Sequence, residues 1–354
     1  MQAQAPELAE LGCTLIGRTF SDDTAPGELI LRGEHLSFDE AEKAYLSTLE
    51  SVFPVYCGDT PGVSDIKPAE APKKAASGAM RACRAPKIVH PRVLIPVFPG
   101  TNCEVDTARA FEAAGAQCDI FVLRSRTAEQ INESMEELAR RLKNANILML
   151  PGGFSGGDEP DGSGKFIATV LRNARVREQV SELLEKRDGL AMGICNGFQA
   201  LIKTGLLPYG RIDTVRPEDP TLTFNTIGRH ISAIARVRVC SVDSPWMSAC
   251  KSGEVYSVAL SHGEGRFACS PEMLARLIDN GQVITQYCDL EGHASGSGRC
   301  NLNGSVAAIE GIISPDGRVL GKMGHTERRD ADVCVNVPGS YDMPLFESGV
   351  KYFL

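Results

Sequence analysis

Leu190-Ala-Met-Gly-Ile-Cys195-Asn-Gly-Phe-Gln199 runs from an apolar strand into a helix across a cysteine with a glycine two residues away on either side. A G-x-C-x-G turn at a strand-to-helix junction has the spacing of a nucleophile elbow, with cysteine in the place of serine. The requirement is steric. A residue on so tight a turn is pushed into an uncommon backbone conformation, and glycines beside it leave room for the crossing chain. The thiol then points out of the sheet at a helix N-terminus, where the dipole favours thiolate. The Asn196 amide at that terminus becomes one oxyanion donor. A cysteine is otherwise a small buried hydrophobe, so this context is what sets Cys195 apart among twelve cysteines. Cys103 is its nearest rival, in the first turn of an expected helix. It lacks flanking glycines, which suits a structural or ligand-adjacent role.

Outward from the elbow, strands and helices alternate from Arg92 onward. Val93–Phe98 is a short apolar run of the kind buried in parallel sheets. Thr101-x-x-Glu104 reads as a capping box opening a helix that Gly115 closes. Ile120–Leu123 is the next strand. Ile131, Met135, Leu138 and Leu142 mark an amphipathic helix, and Ile147–Leu150 a further strand. A glycine-rich loop, a helix near Val176–Lys186, strand Leu190–Ile194 and a helix over Asn196–Thr204 follow. Beyond Gly210 the segments are mostly β: Ile231–Cys240, Val255–Leu260, Val283–Tyr287, Val306–Ile313 and Val319–Met323. The pattern predicts an α/β fold, an open, mostly parallel sheet flanked by helices, with additional β segments in the C-terminal half.

The N-terminal piece reads differently. Leu11–Arg18 and Glu28–Arg32 are expected as small strands and Phe38–Val52 as a helix, with Ser37 and Glu40 forming a capping box. So small a piece does not hold a core alone. Residues 57–90 are rich in Pro, Ala, Gly, Ser and Lys without aliphatic periodicity, a linker composition. The expected division is a small N-terminal piece at 1–56, a linker at 57–90 and the main domain at 91–354.

Composition bounds the function. The 354-residue chain is 43% hydrophobic and 23% charged with a net charge of −8, which argues against a general nucleic-acid binder. No apolar run approaches the roughly 20 residues of a membrane span, and the N-terminus lacks a signal peptide's pattern. The cysteines are scattered singly, with no C-x-x-C pair, so neither zinc nor a disulfide scaffold is favoured and a cytoplasmic setting is expected. No P-loop, H-E-x-x-H or EF-hand pattern is present.

A thiolate needs a base and an oxyanion site. Pro151-Gly152-Gly153-Phe154 follows a strand at its carboxyl end, where open α/β sheets place ligands, and its adjacent glycines expose backbone amides. Taken alone it is more often a plain turn, since P-G and G-G dipeptides are common turn formers. Among six histidines, His325 is followed by Thr326-Glu327. In extended chain an H-x-E triplet puts both side chains on one side, so the carboxylate can orient the imidazole. His262, within Ser261-His-Gly-Glu264-Gly-Arg266, lies in a polar, glycine-flanked turn suited to a ligand or an interface.

Six segments occur in order: PVFPGTNCE (96–104), LPGGFSGGD (150–158), GICNGFQ (193–199), SHGEGRF (261–267), NLNGS (301–305) and GHTER (324–328). Together they resemble the amidotransferase domain of the phosphoribosylformylglycinamidine synthases, from about Arg92 to the C-terminus. The piece from LIGRTF to LESVFP resembles the tail of the synthetase half of those enzymes. The resemblance implies a class I glutamine amidotransferase fold, flavodoxin-like, and a glutaminase that feeds ammonia through a channel to an ATP-using synthetase site. It implies Cys195, His325 and Glu327 as catalytic residues and L-glutamine as substrate. Gly152, Gly153 and Asn196 would serve the oxyanion and substrate loop, and Phe154 and Gln199 would line the glutamine pocket. His262, Glu264 and Arg266 are the candidates for a docking or channel-side surface. No cofactor or metal is expected in this chain. ATP and magnesium belong to the synthetase portion, the expected partner in cis or as a separate chain. Gly156 stands where the family commonly has tyrosine, and Gly324 and Thr326 stand where prolines commonly flank the histidine.

Two other readings start from the same residues. One is a non-catalytic domain that docks on a synthetase; the other is a related cysteine hydrolase acting on another amide. A degenerate docking domain has no chemical need for Cys195, His325 and Glu327 together.

Overall fold

The computed structural model describes residues 27–31, 34–67, 83–84, 86–157, 163–329, 333–335 and 337–354. Contacts divide the chain into two units, Met1–Val55 and Tyr56–Leu354.

In the first unit, β1 (Glu28–Leu31) pairs antiparallel with β2 (Glu34–Ser37), and α1 (Phe38–Glu50) follows. The expected capping box is formed. Ser37 Oγ accepts from the Glu40 amide at 3.1 Å, and the Ser37 amide donates to Glu40 Oε2 at 3.2 Å. Phe38, Tyr45 and Leu49 remain exposed, because one hairpin and one helix cannot enclose an apolar stripe. The expected strand Leu11–Arg18 lies outside the described residues, as does Arg32.

The second unit is built on β3 (Arg92–Val97), α2 (Glu104–Ala113), β4 (Gln117–Val122), α3 (Ala128–Leu142), β5 (Ile147–Leu150), α4 (Lys165–Arg172), α5 (Ala174–Ser181), β6 (Leu190–Ile194) and α6 (Asn196–Thr204). It continues with β7 (Thr221–Thr223), β8 (Ile231–Val239), β9 (Val255–His262), β10 (Arg266–Ala268), α7 (Pro271–Asp279), β11 (Val283–Tyr287), β12 (Ile309–Ile313), β13 (Val319–Lys322) and α8 (Leu345–Lys351). Nine strands form one mixed sheet in the order β4-β3-β5-β6-β13-β12-β11-β8-β9. Pairing is parallel from β4 to β13 and antiparallel from β13 to β9. The continuous aliphatic runs of β5 and β6 are wholly buried, as double-sided coverage by helices requires. The decisive join is β13, which returns beside β6 with Lys322 opposite Ile194, one residue short of the elbow.

Three local expectations yield to tertiary context. Thr101 does not cap α2. The N-cap is Cys103, with no side-chain cap, while Thr101 Oγ1 accepts from the Phe98 amide at 3.1 Å and the residue bridges to Gly153. Helix α4 forms between the glycine-rich loop and the helix expected near Val176–Lys186, where the sequence pattern predicts no helix. Its short apolar face, Ile167, Ala168, Val170 and Leu171, is buried, and it packs on α6. Val306–Ala308 is a helical turn with Ala307 and Ala308 at φ 49° and 54°, so β12 begins only at Ile309.

Part of the stretch read as linker is tied down within the second unit. Cys57 and Ile66 are buried, the Ile66 amide donates to Gln286 Oε1 at 2.9 Å, and Asp65 Oδ1 accepts from the Ala294 amide at 2.7 Å. Single buried side chains and backbone-to-side-chain bonds leave no periodic signal. Residues 68–82 lie outside the described residues. Among the described residues no helix is long and apolar enough to cross a membrane.

Candidate active site

Cys195 is the N-cap of α6 with φ 51° and ψ −106°, and only 4% of it is exposed. A non-glycine residue in this region is uncommon, and such strain clusters at functional sites. The neighbouring glycines answer a close approach. A Cβ on Gly197 would lie 2.0 Å from the Leu150 carbonyl oxygen, and one on Gly193 would lie 2.5 Å from the Gly197 carbonyl carbon. The elbow is pressed against the end of β5, and its amide is held from the other side: Cys195 N donates to the Lys322 carbonyl at 2.9 Å.

Beyond β13 the chain turns over the elbow. The His325 amide donates to the Ala259 carbonyl at 2.9 Å, and His325 Nδ1 meets Glu327 Oε1 at 2.6 Å. Cys195 is a hydrogen-bonding neighbour of the same ring. Burial works against the charged imidazole. The Glu327 carboxylate, with the two cysteine neighbours, outweighs it and holds the His325 pKa well above its ordinary value. Burial likewise opposes the charged Glu327, but His325 and hydrogen bonds to it hold that carboxyl below its ordinary value. Both directions favour an imidazolium–carboxylate pair.

The glycine-rich loop closes the site opposite. Asn102 N donates to the Gly152 carbonyl at 3.3 Å and Phe154 N to the Gly100 carbonyl at 2.8 Å, a bridge that leaves the Gly153 amide out of its pairing. Gly153 has φ 143°. A Cβ on Gly152 would lie 2.7 Å from His325 Cε1, 3.2 Å from Cys103 Sγ and 3.5 Å from Cys195 Cβ, so Gly152 stands at the centre of the constellation. A chain of buried hydrogen bonds fixes this loop to α6 and to residues 261–265. Ser155 N donates to Asn196 Oδ1 (3.2 Å), Asn196 Nδ2 to Gln199 Oε1 (3.0 Å), Gln199 Nε2 to the Glu264 carbonyl (2.6 Å) and Ser163 N to Glu264 Oε2 (3.0 Å). Phe154 is 43% exposed, with its ring 6.1 Å from that of His230.

The SHGEGRF segment, the candidate for a docking or channel-side surface, is largely buried at His262 and Glu264 and half-buried at Arg266. His262 and Glu264 are 2% and 7% exposed, and Arg266 Nε is turned back onto the Phe224 carbonyl at 3.0 Å. The reason is a buried polar framework. Asn225 Nδ2 donates to the His262 carbonyl, Asn303 Nδ2 donates to the Gly265 carbonyl, and Ser305 Oγ accepts from Phe267 N. The NLNGS segment is thus a buttress for this loop. Burial, with the nearby His325 and His230, pushes the His262 pKa down to about 3, so its ring is neutral and not poised as a base at neutral pH.

Asn225 and His230 belong to the site's surroundings without standing out in sequence, as does Ser261 beyond its place in SHGEGRF. His230 Nε2 is 3.1 Å from Ser261 Oγ, and the Ser261 carbonyl faces Cys195 Sγ at 3.7 Å. No spacing relates them to the elbow. Cys103 Sγ lies 3.8 Å from His325 Nδ1 and 3.3 Å from Arg328 Nη2. Cys103, His325 and Glu327 offer donor atoms within 4.8 Å of one another, the arrangement among the described residues nearest to a metal-ligand set. The Arg328 guanidinium beside the thiol opposes a cation there.

Residues 90–353 match the family of CobB/CobQ-like glutamine amidotransferase domains. The chain is similar to the phosphoribosylformylglycinamidine synthase subunit PurQ of Symbiobacterium thermophilum, 37% identical over 258 residues that cover 73% of this chain and 95% of that one. The subunit of the same name from Methanococcus maripaludis is 34% identical over 250 residues, covering 68% and 83%. Among solved structures, PurLQS from Thermotoga maritima aligns with a TM-score of 0.53 and 26% identity, over 75% of this chain and 100% of that chain.

Proposed function

The chain belongs to the CobB/CobQ-like glutamine amidotransferase family, as a glutaminase of phosphoribosylformylglycinamidine synthase, and we propose that Cys195, His325 and Glu327 carry its glutamine hydrolysis. The observation that carries this assignment is the strained Cys195 at a helix N-terminus beside an imidazole bonded to a buried carboxylate.

The thiolate of Cys195 attacks the side-chain amide carbon of glutamine. The developing oxyanion lies toward the Gly153 and Asn196 amides, where preorganised donors lower the barrier. His325, held charged by Glu327, gives its proton to the departing ammonia and leaves a glutamyl thioester. The neutral imidazole then takes a proton from water, which attacks the thioester and releases glutamate. Glu327 keeps its charge throughout and orients the ring. Phe154 and Gln199 border the glutamine pocket; Gln199 acts through the loop it anchors. Ammonia passes to a synthetase partner, in cis or as a separate chain, where ATP and magnesium act on formylglycinamide ribonucleotide.

A glutamine-mimicking electrophile tests the nucleophile. It should label Cys195 and spare Cys103, and Cys195→Ala should abolish glutamate release while the fold is kept. Peptide mapping that finds the adduct on Cys103 would overturn the assignment.

A further inference from the structure

Lys322 and Glu310 form an ion pair at 3.1 Å, and both side chains are 0% exposed. They sit on neighbouring antiparallel strands, β13 and β12. A buried pair is weak evidence for stability, since apolar residues of like volume often serve as well, so its use is sought in its geometry.

Its hydrogen bonds supply one. Lys322 Nζ donates to the Gly324 carbonyl at 2.9 Å, and Glu310 Oε1 accepts from the Gly324 amide at 2.6 Å. The two charges therefore grip the peptide units on either side of Gly324, the residue immediately before His325. Glu310 is itself fixed by Thr285 Oγ1, which donates to Oε2 at 2.5 Å. There is little slack. A Cβ on Gly324 would lie 2.5 Å from Val258 Cγ2 and 2.9 Å from Glu310 Oε1. The same Lys322 holds the nucleophile, because its carbonyl accepts from the Cys195 amide at 2.9 Å. One residue thus contacts the backbone at both halves of the catalytic arrangement.

We propose that Lys322 and Glu310 are positioning residues for glutamine hydrolysis, locking the Gly324 peptide so that His325 faces Cys195. The inference rests on His325 being the proton carrier. Neither side chain touches substrate; both act through Gly324.

The full chain is assayed for glutamate release and for the rate at which a glutamine-mimicking electrophile labels Cys195. Lys322→Met/Glu310→Met conserves volume and removes both grips. It should lower kcat and the labelling rate by about tenfold or more, since small misplacements of reacting groups are costly, with KM for glutamine within about twofold. Glu310→Gln keeps an acceptor for the Gly324 amide and should recover part of the rate. Thr285→Val, which frees Glu310 while preserving shape, should lower kcat by about threefold without raising KM. A folded double variant with wild-type kcat, labelling rate and pH profile overturns the inference. If the double variant does not fold, wild-type kcat in both Thr285→Val and Glu310→Gln does so. Run beside them, His325→Asn separates the two claims. Undiminished hydrolysis there removes the assignment of His325 and the inference with it. A dead His325→Asn with a full-speed double variant removes the inference alone.

Discussion

Gly152 faces the edge of the His325 ring so closely that a carbon added to its Cα would lie 2.7 Å from Cε1. The loop after β5 is therefore a wall of the proposed catalytic site as well as its proposed oxyanion side. Gly152→Ala should lower kcat on the order of a hundredfold, because the ring must move from the nucleophile. Its effect on stability should be modest, about 1–3 kcal/mol for local overpacking. Steady-state kinetics and denaturant unfolding of one variant check both. Near wild-type turnover would mean that the ring does not need its present position.

Glu327 is the main favourable influence on the raised pKa of His325. Glu327→Gln keeps the hydrogen-bonding shape but removes the charge, so the imidazolium loses its partner and its pKa falls. In the proposed mechanism ammonia departure needs the protonated ring, so the alkaline limb of the pH–rate profile should move to lower pH. The fall in kcat should exceed any rise in KM. A profile unchanged by this substitution would argue against Glu327 as the residue that tunes His325.

His262 gives a stability prediction of definite sign. Its folded pKa is depressed to about 3 from 6.5, first by burial and then by its histidine neighbours. Between those values the unfolded chain binds the additional proton. Stability from this group is thus full above about pH 6.5 and declines as pH falls toward 3, by about 1.4 kcal/mol per pH unit within the window. Groups with raised folded pKa values, such as His325, lose their contribution only at the alkaline side. His262→Gln should therefore flatten the acid side of the stability curve, as followed by denaturant unfolding at pH 7, 6 and 5. An acid slope equal to that of the unaltered protein would show that His262 is not buried neutral.

The site was legible wherever chemistry is encoded by neighbours in sequence. Gly193-Ile-Cys195-Asn-Gly197 is such a case, since steric demand at a strand-to-helix turn acts over a few residues. His325-Thr-Glu327 is another, because an extended triplet aligns its outer side chains. The apolar runs of β3, β5 and β6 likewise announced a covered parallel sheet. Thr101 departs from its sequence pattern for the complementary reason. Its spacing to Glu104 matched a cap, but the Pro99-Gly100 turn and the bridge to Gly153 claimed it instead.

Sequence alone determined the α/β core, the candidate nucleophile and the histidine–carboxylate pair, because helix and strand periods, tight turns and i to i+2 geometry are local. Only the tertiary structure decided which surfaces close the site. His262 and Glu264 are polar and glycine-flanked in sequence, yet the buried amides of Asn225 and Asn303 turn their loop inward. Lys322 reads as a stray charge in an apolar strand, and Glu310 as another. They meet only because β13 lies between β6 and β12, and sheet order, which brings distant segments together, leaves no mark on any one of them.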